Sequence, residues 1–479
     1  MNTTVLSEDS QNRAGSPGWT FSGPGLKTYH LFDVGPHPDR MMASVSGASA
    51  IPTAGSLPFP ERPAGTPNPD MPFDHIVVVM MENHSFDNLL GDLGRTRTDV
   101  DALTFQNGSA TNTNPATGSE LVAAYPLTNT AQAKNITQSW KATHEQIDNG
   151  AMDGFVSSEK GSPEAMGYYT PEVLPFAYSL AETYTLANRW FCSLPGPTYP
   201  NRRFLLAGTA FGGTETGKDA LVSALEKPPP GGTVFDLLSR HKLSWRNYFT
   251  DLPMSLVMPR TLLEHPTHHR LHHEFIEDCR GGSLPAVSFV DPAVGALSSI
   301  ARSLDVLPKP LKELLERLGP SETEEDPGDM YYGERWAHEI TEAVVRSPVW
   351  PRTILIYTYD EHGGYYDHVP PPAAIPPDDI EPQLPAGQSG AYDSYGPRVP
   401  AVIVSPYSRP ADVSDVVHDH TSVLATIEHK WNLPALTARD ANAATVMDFL
   451  DLGSEPRLEP PTLTAPSATG PSGPAGKIA

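Results

Sequence analysis

The chain has 479 residues and carries 33 basic against 57 acidic side chains, a formal net charge of −24. Such a field repels nucleic-acid phosphates and anionic headgroups, so nucleic acid is excluded as a partner. Hydrophobic residues make up 39%, and no run approaches the roughly 18 apolar residues of a membrane span, so the expectation is a soluble globular chain with a large core and no integral membrane segment. The 51 prolines are about double ordinary usage without reaching low complexity, which predicts long ordered loops on a folded scaffold.

Residues 1–70 are rich in Ser, Gly and Pro and read as an irregular N-terminal extension. Residues 1–40 show no basic start followed by an apolar stretch, so the sequence as it stands is expected to be cytoplasmic, or to have lost a signal. A single folded domain is expected over 71–453. It opens at His75–Met81 (HIVVVMM), an apolar, β-branched run without alternation, as in a strand covered on both faces of a parallel sheet. Ala286–Val290, Thr353–Thr358 and Val399–Val404 repeat that pattern, and Val234–Ser239, Glu334–Val345 and Ser422–Trp431 carry helical period between them. Strands alternating with helices predict an α/β fold with a largely parallel sheet flanked by helices. The intervening polar or Pro-rich segments 104–135, 251–283 and 369–397 are long enough to be functional insertions, and 454–479 reads as a disordered tail. Cys192 and Cys279 could form at most one bridge and are expected to be free structural thiols.

In open α/β sheets ligands bind at the carboxyl ends of strands. The first apolar run ends in Glu82 and Asn83, and the third leads into Asp360 and Glu361. Four oxygen-bearing side chains at two strand ends suit a divalent cation, although an acid after a strand also serves as a helix cap or a solvated turn. The Pro/Gly loop 195–200 sets Thr198 where a helix starts, as a plain cap or, with a metal to lower its pKa, as a nucleophile beside amides that favour an anion. The five histidines at 265, 268, 269, 272 and 273 invite a second metal site, but no carboxylate accompanies them at a strand end, and an exposed loop is expected.

Glu82-Asn83-His84-Ser85-Phe86-Asp87 resembles the signature of the phosphoesterase family of bacterial non-specific phospholipases C and related acid phosphatases. Further landmarks follow in order: Met152-Asp153-Gly154-Phe155, Pro200-Asn201-Arg202, Tyr359 to Gly364, Asp367 to Pro370, Gly396 to Pro400, and His420-Thr421-Ser422. Together they cover roughly 72–435. The resemblance implies an alkaline-phosphatase-like α/β core with one divalent metal held by Glu82, Asn83, Thr198, Asp360 and Glu361. It also implies hydrolysis through a phospho-threonine at Thr198. His144 matches the family's active-site histidine; His368 and His420 are the next candidates for substrate contact, each with a structural alternative. Asn201 and Arg202 either contact the phosphate or fix the nucleophile loop by hydrogen bonds.

One position departs from the family pattern. Where relatives carry His-Pro before the helix that precedes the second acidic strand, this chain has Asp326-Pro327. An aspartate there disfavours a phosphate dianion, which predicts an atypical substrate. The expected substrate is a small phosphate ester or a phospholipid. A phosphoryl or headgroup transferase and a non-catalytic phosphate-ligand-binding relative are the alternatives, to be separated by product analysis with an added acceptor and by turnover of a chromogenic ester.

Overall fold

The computed structural model describes residues 51–118, 120–132, 136–294, 321–325 and 328–466, together with strand residues 19–21 and 29–31 and residues 313, 317 and 318. Residues 1–50 form one unit, in which Trp19–Phe21 and Tyr29–Leu31 pair antiparallel. Residues 51–479 form the other.

Eight strands build the central sheet of the larger unit: β1 (His75–Met81), β2 (Thr185–Ala187), β3 (Trp245–Phe249), β4 (His269–Leu271), β5 (Val287–Asp291), β6 (Thr353–Tyr359), β7 (Ala401–Val404) and β8 (Val413–Ser414). Their spatial order is β4-β3-β5-β1-β6-β7-β2-β8. From β4 to β6 every pairing is parallel. All seven residues of β6 and the last six of β1 are buried, as continuous apolar runs covered on both faces require. The α/β fold with a largely parallel, helix-flanked sheet is therefore the one the apolar runs predict. The last run behaves differently, because β7 pairs antiparallel with both β6 and β2. Burial on both faces removes the alternation that would have marked its direction.

The segment 51–70 is irregular and packs on the rest of the larger unit: Asn432, left-handed at φ 47° after the helix Thr421–Trp431, donates its side-chain amide to the carbonyls of Phe59 and Arg62 at 3.0 and 2.8 Å. Residues 454–466 are likewise tied down, with Leu463 buried, Arg457 bonded to the Thr183 carbonyl and the Thr464 amide to Ser179.

In a parallel sheet the carboxyl ends share one edge, so Glu82 and Asn83 after β1, Asp360 and Glu361 after β6, and Asp291 at the end of β5 stand together. Three helices bear on that edge: α1 (Phe86–Leu90), α2 (Trp140–Ile147) and α3 (Thr198–Ala207). Beneath α1, the fully buried Arg398 donates to Asp367 Oδ1 and Oδ2 at 2.9 and 3.1 Å and to the carbonyls of Asp101 and Asn188 at 2.8 and 2.9 Å. It also reaches Asp87 at 3.5 Å and stacks over Phe86. Removing one partner of a buried ion pair strands the other. Arg398→Met is therefore expected to lower unfolding free energy by about 3–5 kcal/mol in urea denaturation, and a loss below about 1 kcal/mol would show that Asp87 and Asp367 do not depend on it.

Candidate active site

The two acidic strand ends are tied together by one carboxylate. Asp360 Oδ1 accepts from the Asn83 amide at 3.0 Å and from the Glu361 amide at 2.8 Å, while Oδ2 accepts from Arg202 Nε at 3.0 Å. Arg202, one turn into α3, also donates to the last carbonyls of β1, Met80 and Met81. Close approach is built into the backbone. Gly363 has φ +65°, and a Cβ on it would lie 1.9 Å from the Asn83 carbonyl oxygen, so only glycine lets the turn after β6 lie against the residue after β1.

Thr198 is the first residue of α3, and its hydroxyl does not cap the helix. It donates instead to Asn83 Oδ1 at 3.3 Å. Asn83 is itself left-handed (φ 65°), which turns its side chain away from the strand. The capping alternative for Glu82 and Asn83 also fails, because Ser85 caps α1 by accepting from the Asn88 amide.

Around this junction lie more carboxylates than positive charges. Glu82 is buried, and neither of its carboxylate oxygens has a hydrogen-bond partner among the described residues; Glu324 Oε2 and Glu361 Oε1 are in the same position. Burial, then Glu325, pushes the Glu82 carboxyl well above the ordinary range against the pull of Arg202. Burial followed by Asp360 does the same to Glu361, and burial brings Glu324 to about 8. Glu324 joins the site by accepting the Glu82 amide at 3.2 Å. Buried oxygens of this kind, left unanswered by the protein, fit a divalent cation with oxygen ligands.

Two other groups place carboxylate and imidazole atoms within 4.8 Å of one another, Asp87–Asp367–His368 and Asp236–Glu264–His265. The first is already neutralised by Arg398 and by a charged His368. In the second, Glu264 is exposed and one oxygen of Asp236 is committed to the Thr233 capping box. Neither contains Glu82, Asp360 or Glu361. The histidine-rich segment is not the exposed loop expected of it. His268 stacks on Trp245 at 4.2 Å and His269 bonds Ser255 at 2.8 Å, leaving His273 as the exposed member.

The remaining expected site residues divide sharply. Asn201 fixes the nucleophile loop: its side-chain amide donates to the carbonyls of Gly196 and Pro197 and its oxygen accepts the Leu194 amide. Arg202 braces Asp360, with no donor directed to a phosphate. His420, expected at the substrate, has Nε2 donating to the Asp360 carbonyl at 2.6 Å and Nδ1 facing the Trp190 indole N–H at 3.5 Å, so it orients the strand end. His368 also has both nitrogens engaged, with Asp87 at 2.6 Å and Asp101 at 3.0 Å. Burial opposes its charge, but Asp87, helped by Asp101, raises it to about 10. His144 keeps one nitrogen available. Nδ1 donates to the Trp140 carbonyl at 2.7 Å, and its ring lies on Trp140, whose other side meets Gly196 of the nucleophile loop. Asp326 lies outside the described residues. Glu324, Glu325, His362 and Gln146 are at the site without having been singled out as site residues. Their sequence signals were adjacency to Asp326 for the two glutamates, the Tyr359–Gly364 landmark for His362, and a place two residues after His144 for Gln146.

A hydroxyl at a helix start, with carboxylate oxygens unpartnered among the described residues on the carboxyl edge of a parallel sheet, fits an enzyme site of the ester-hydrolase class. The chain belongs to the Phosphoesterase family, which matches it over residues 73–434, and its chemistry is that of a phosphoric-ester hydrolase. It is 30% identical over 423 residues to non-specific phospholipase C1 of Arabidopsis thaliana, covering 81% of this chain and 73% of the relative. It is 27% identical over 481 residues to phospholipase C B of Mycobacterium tuberculosis, covering 88% and 87%. Among solved structures, a protein in the alkaline phosphatase superfamily from Vibrio parahaemolyticus is similar at 12% identity and a TM-score of 0.33, over 69% of this chain and 72% of its own. The fold itself rests on the strand pairing described above.

The raised pKa of His368 gives a pH signature. A histidine whose folded-state pKa exceeds its unfolded value contributes stability that is fully present below about pH 6.5 and is lost as pH rises through the folded pKa. His368→Gln is therefore expected to be less stable than the parent at pH 6 and to converge with it above about pH 10, the value to which His368 is raised. A pH-independent difference in urea midpoints would remove the imidazolium from the network.

Proposed function

We propose that this chain is a metal-dependent phosphoric-diester hydrolase of phospholipase C type that works through a phospho-threonine at Thr198. The observation that carries this reading is the Thr198 hydroxyl, free of any capping role, directed at Asn83 beside buried carboxylate oxygens that have no hydrogen-bond partner among the described residues. Glu82, Asn83, Asp360, Glu361 and Thr198 would hold one divalent ion, which when bound lowers the pKa of the hydroxyl and offsets charge on the phosphoryl oxygens. Thr198 Oγ1 gives up its proton and attacks phosphorus in line, the bond to the leaving alkoxide breaks, and the alkoxide takes up one proton and departs as the alcohol. Water then cleaves the phospho-threonine, its hydroxyl going to phosphorus and its other proton restoring the Thr198 hydroxyl. His144 Nε2 is the nitrogen available to carry the proton between leaving group and water, its other nitrogen being held by Trp140.

The diester preference is supported by two features. The relatives are named phospholipases C, and Glu324 and Glu325 bring extra negative charge to Glu82, which disfavours a dianionic monoester more than a monoanionic diester. The substrate is accordingly a small phosphodiester or a phospholipid at a surface, and among the described residues no helix is long and apolar enough to cross a membrane.

Thr198→Ala is expected to lower kcat at least ~10³-fold with an unchanged melting temperature, whereas Thr198→Ser, which keeps the oxygen, stays within about tenfold. Rapid-quench mass spectrometry should find, on residue 198 of the parent, the phosphoryl group with its remaining alcohol still attached. Activity of the alanine variant within tenfold of the parent would end the nucleophile assignment. Asp360→Asn and Glu82→Gln are each expected to reduce bound metal in elemental analysis of the purified protein, since a neutral ligand attracts a dication less. Full occupancy in both would move the ion elsewhere.

A further inference from the structure

His362, between the acidic pair and Gly363, is buried with 0% exposure, and its tautomer can be read from its neighbours. Gln146 on α2 donates its side-chain NH₂ to the Thr137 carbonyl at 2.9 Å, which fixes which end of that amide is nitrogen. The Gln146 oxygen therefore faces His362 Nε2, 2.7 Å away, and can only accept. Nε2 must carry the proton. Nδ1 is left at the other side of the ring, buried and with no hydrogen-bond partner among the described residues, 3.2 Å from Glu361 Oε2 without the alignment of a hydrogen bond. Beside it, Glu361 Oε1 is also unpartnered.

Two lone-pair atoms held about 3 Å apart in a dry site repel unless a proton on the Glu361 carboxyl or a metal ion lies between them, and a bound ion displaces that proton. That separation is close to the spacing of two ligands each about 2.0–2.2 Å from one metal ion. The position is right as well, because Gly363 packs directly on Asn83 and so sets His362 at the β1 end. The ring's outer side is fixed by the edge of Phe155 at 6.2 Å and by the Gln146–Thr137 relay, the kind of support that orients metal-bound imidazoles.

We propose that His362 Nδ1 is a further ligand to the cation held by Glu361, oriented by Gln146, and that the site therefore selects a borderline transition metal such as zinc, cobalt or nickel over calcium or magnesium. Imidazole nitrogen suits the former, while the hard ions prefer oxygen alone. The proposal rests on the metal-dependent reading above and adds a ligand and a metal class to it.

The test uses the full chain stripped with chelator and titrated separately with Co²⁺ and Ca²⁺ by equilibrium dialysis, with metal quantified directly. Co²⁺ is expected to bind at least ~100-fold more tightly than Ca²⁺. In His362→Gln the Co²⁺ affinity should fall about 10–100-fold while Ca²⁺ affinity shifts less than about threefold. Gln146→Glu, which still accepts from Nε2, should stay near the parent, and Gln146→Leu should fall between. In the Cu²⁺-loaded parent, electron spin-echo spectroscopy should show imidazole nitrogen coupling that His362→Gln loses. Unchanged Co²⁺ affinity in His362→Gln, or a parent spectrum without imidazole nitrogen, overturns the proposal and leaves the metal-dependent reading standing. Failure of the parent to bind either ion overturns both. Should His362→Gln not fold, as judged by circular dichroism, the parent spectrum and the Gln146 pair decide.

Discussion

The structure turns on the Asp360 carboxylate. Both of its oxygens accept hydrogen bonds inside the protein, from the amides of Asn83 and Glu361 and from Arg202, so it clamps the end of β1, the end of β6 and the first turn of α3 to one point. A buried carboxylate is tolerable only with such partners, and breaking any one leaves charge uncompensated in a low-dielectric place. His420 adds a second hold by donating to the Asp360 carbonyl. The strand end is thus immobilised through side chain and backbone alike, and Thr198 is delivered to Asn83 as a consequence.

Much of this was legible in the residues, for reasons that differ by element. β1 and β6 announced themselves because a strand buried on both faces must be continuously apolar. The acids after them were visible because the carboxyl edge is where such sheets bind. Direction in β7 was not legible, since burial leaves no alternation to read. The histidines were harder still. A histidine letter does not say which nitrogen is spent, and His368 and His420 prove to have both engaged with the protein, while His144 has one. Glu324 lies 242 residues from Glu82 in sequence, and the contact between them depends on tertiary packing that no local pattern encodes.

Electrostatically, the molecule separates two acidic sets that look alike in sequence. Asp87 and Asp367 are answered in full by Arg398 and His368, and serve stability. Glu82, Glu324 and Glu361 keep oxygens unpartnered among the described residues, with Arg202 as the nearby cation drawn to Asp360.

The antiparallel course of β7 reaches beyond the sheet. Because β7 runs back beside β6, the chain leaves the carboxyl edge after Tyr359 and returns to the same edge before Ala401. The Pro-rich stretch between them is a closed excursion with both feet planted on the catalytic rim, where Gly390 already touches Trp140 and His144. The entropy of closing such an excursion rises only about 0.6 kcal/mol for each doubling of its length. Its middle can therefore be lengthened, shortened or rewritten at little cost to the sheet, which makes it the part of the chain where substrate preference can drift while the clamp beneath stays fixed.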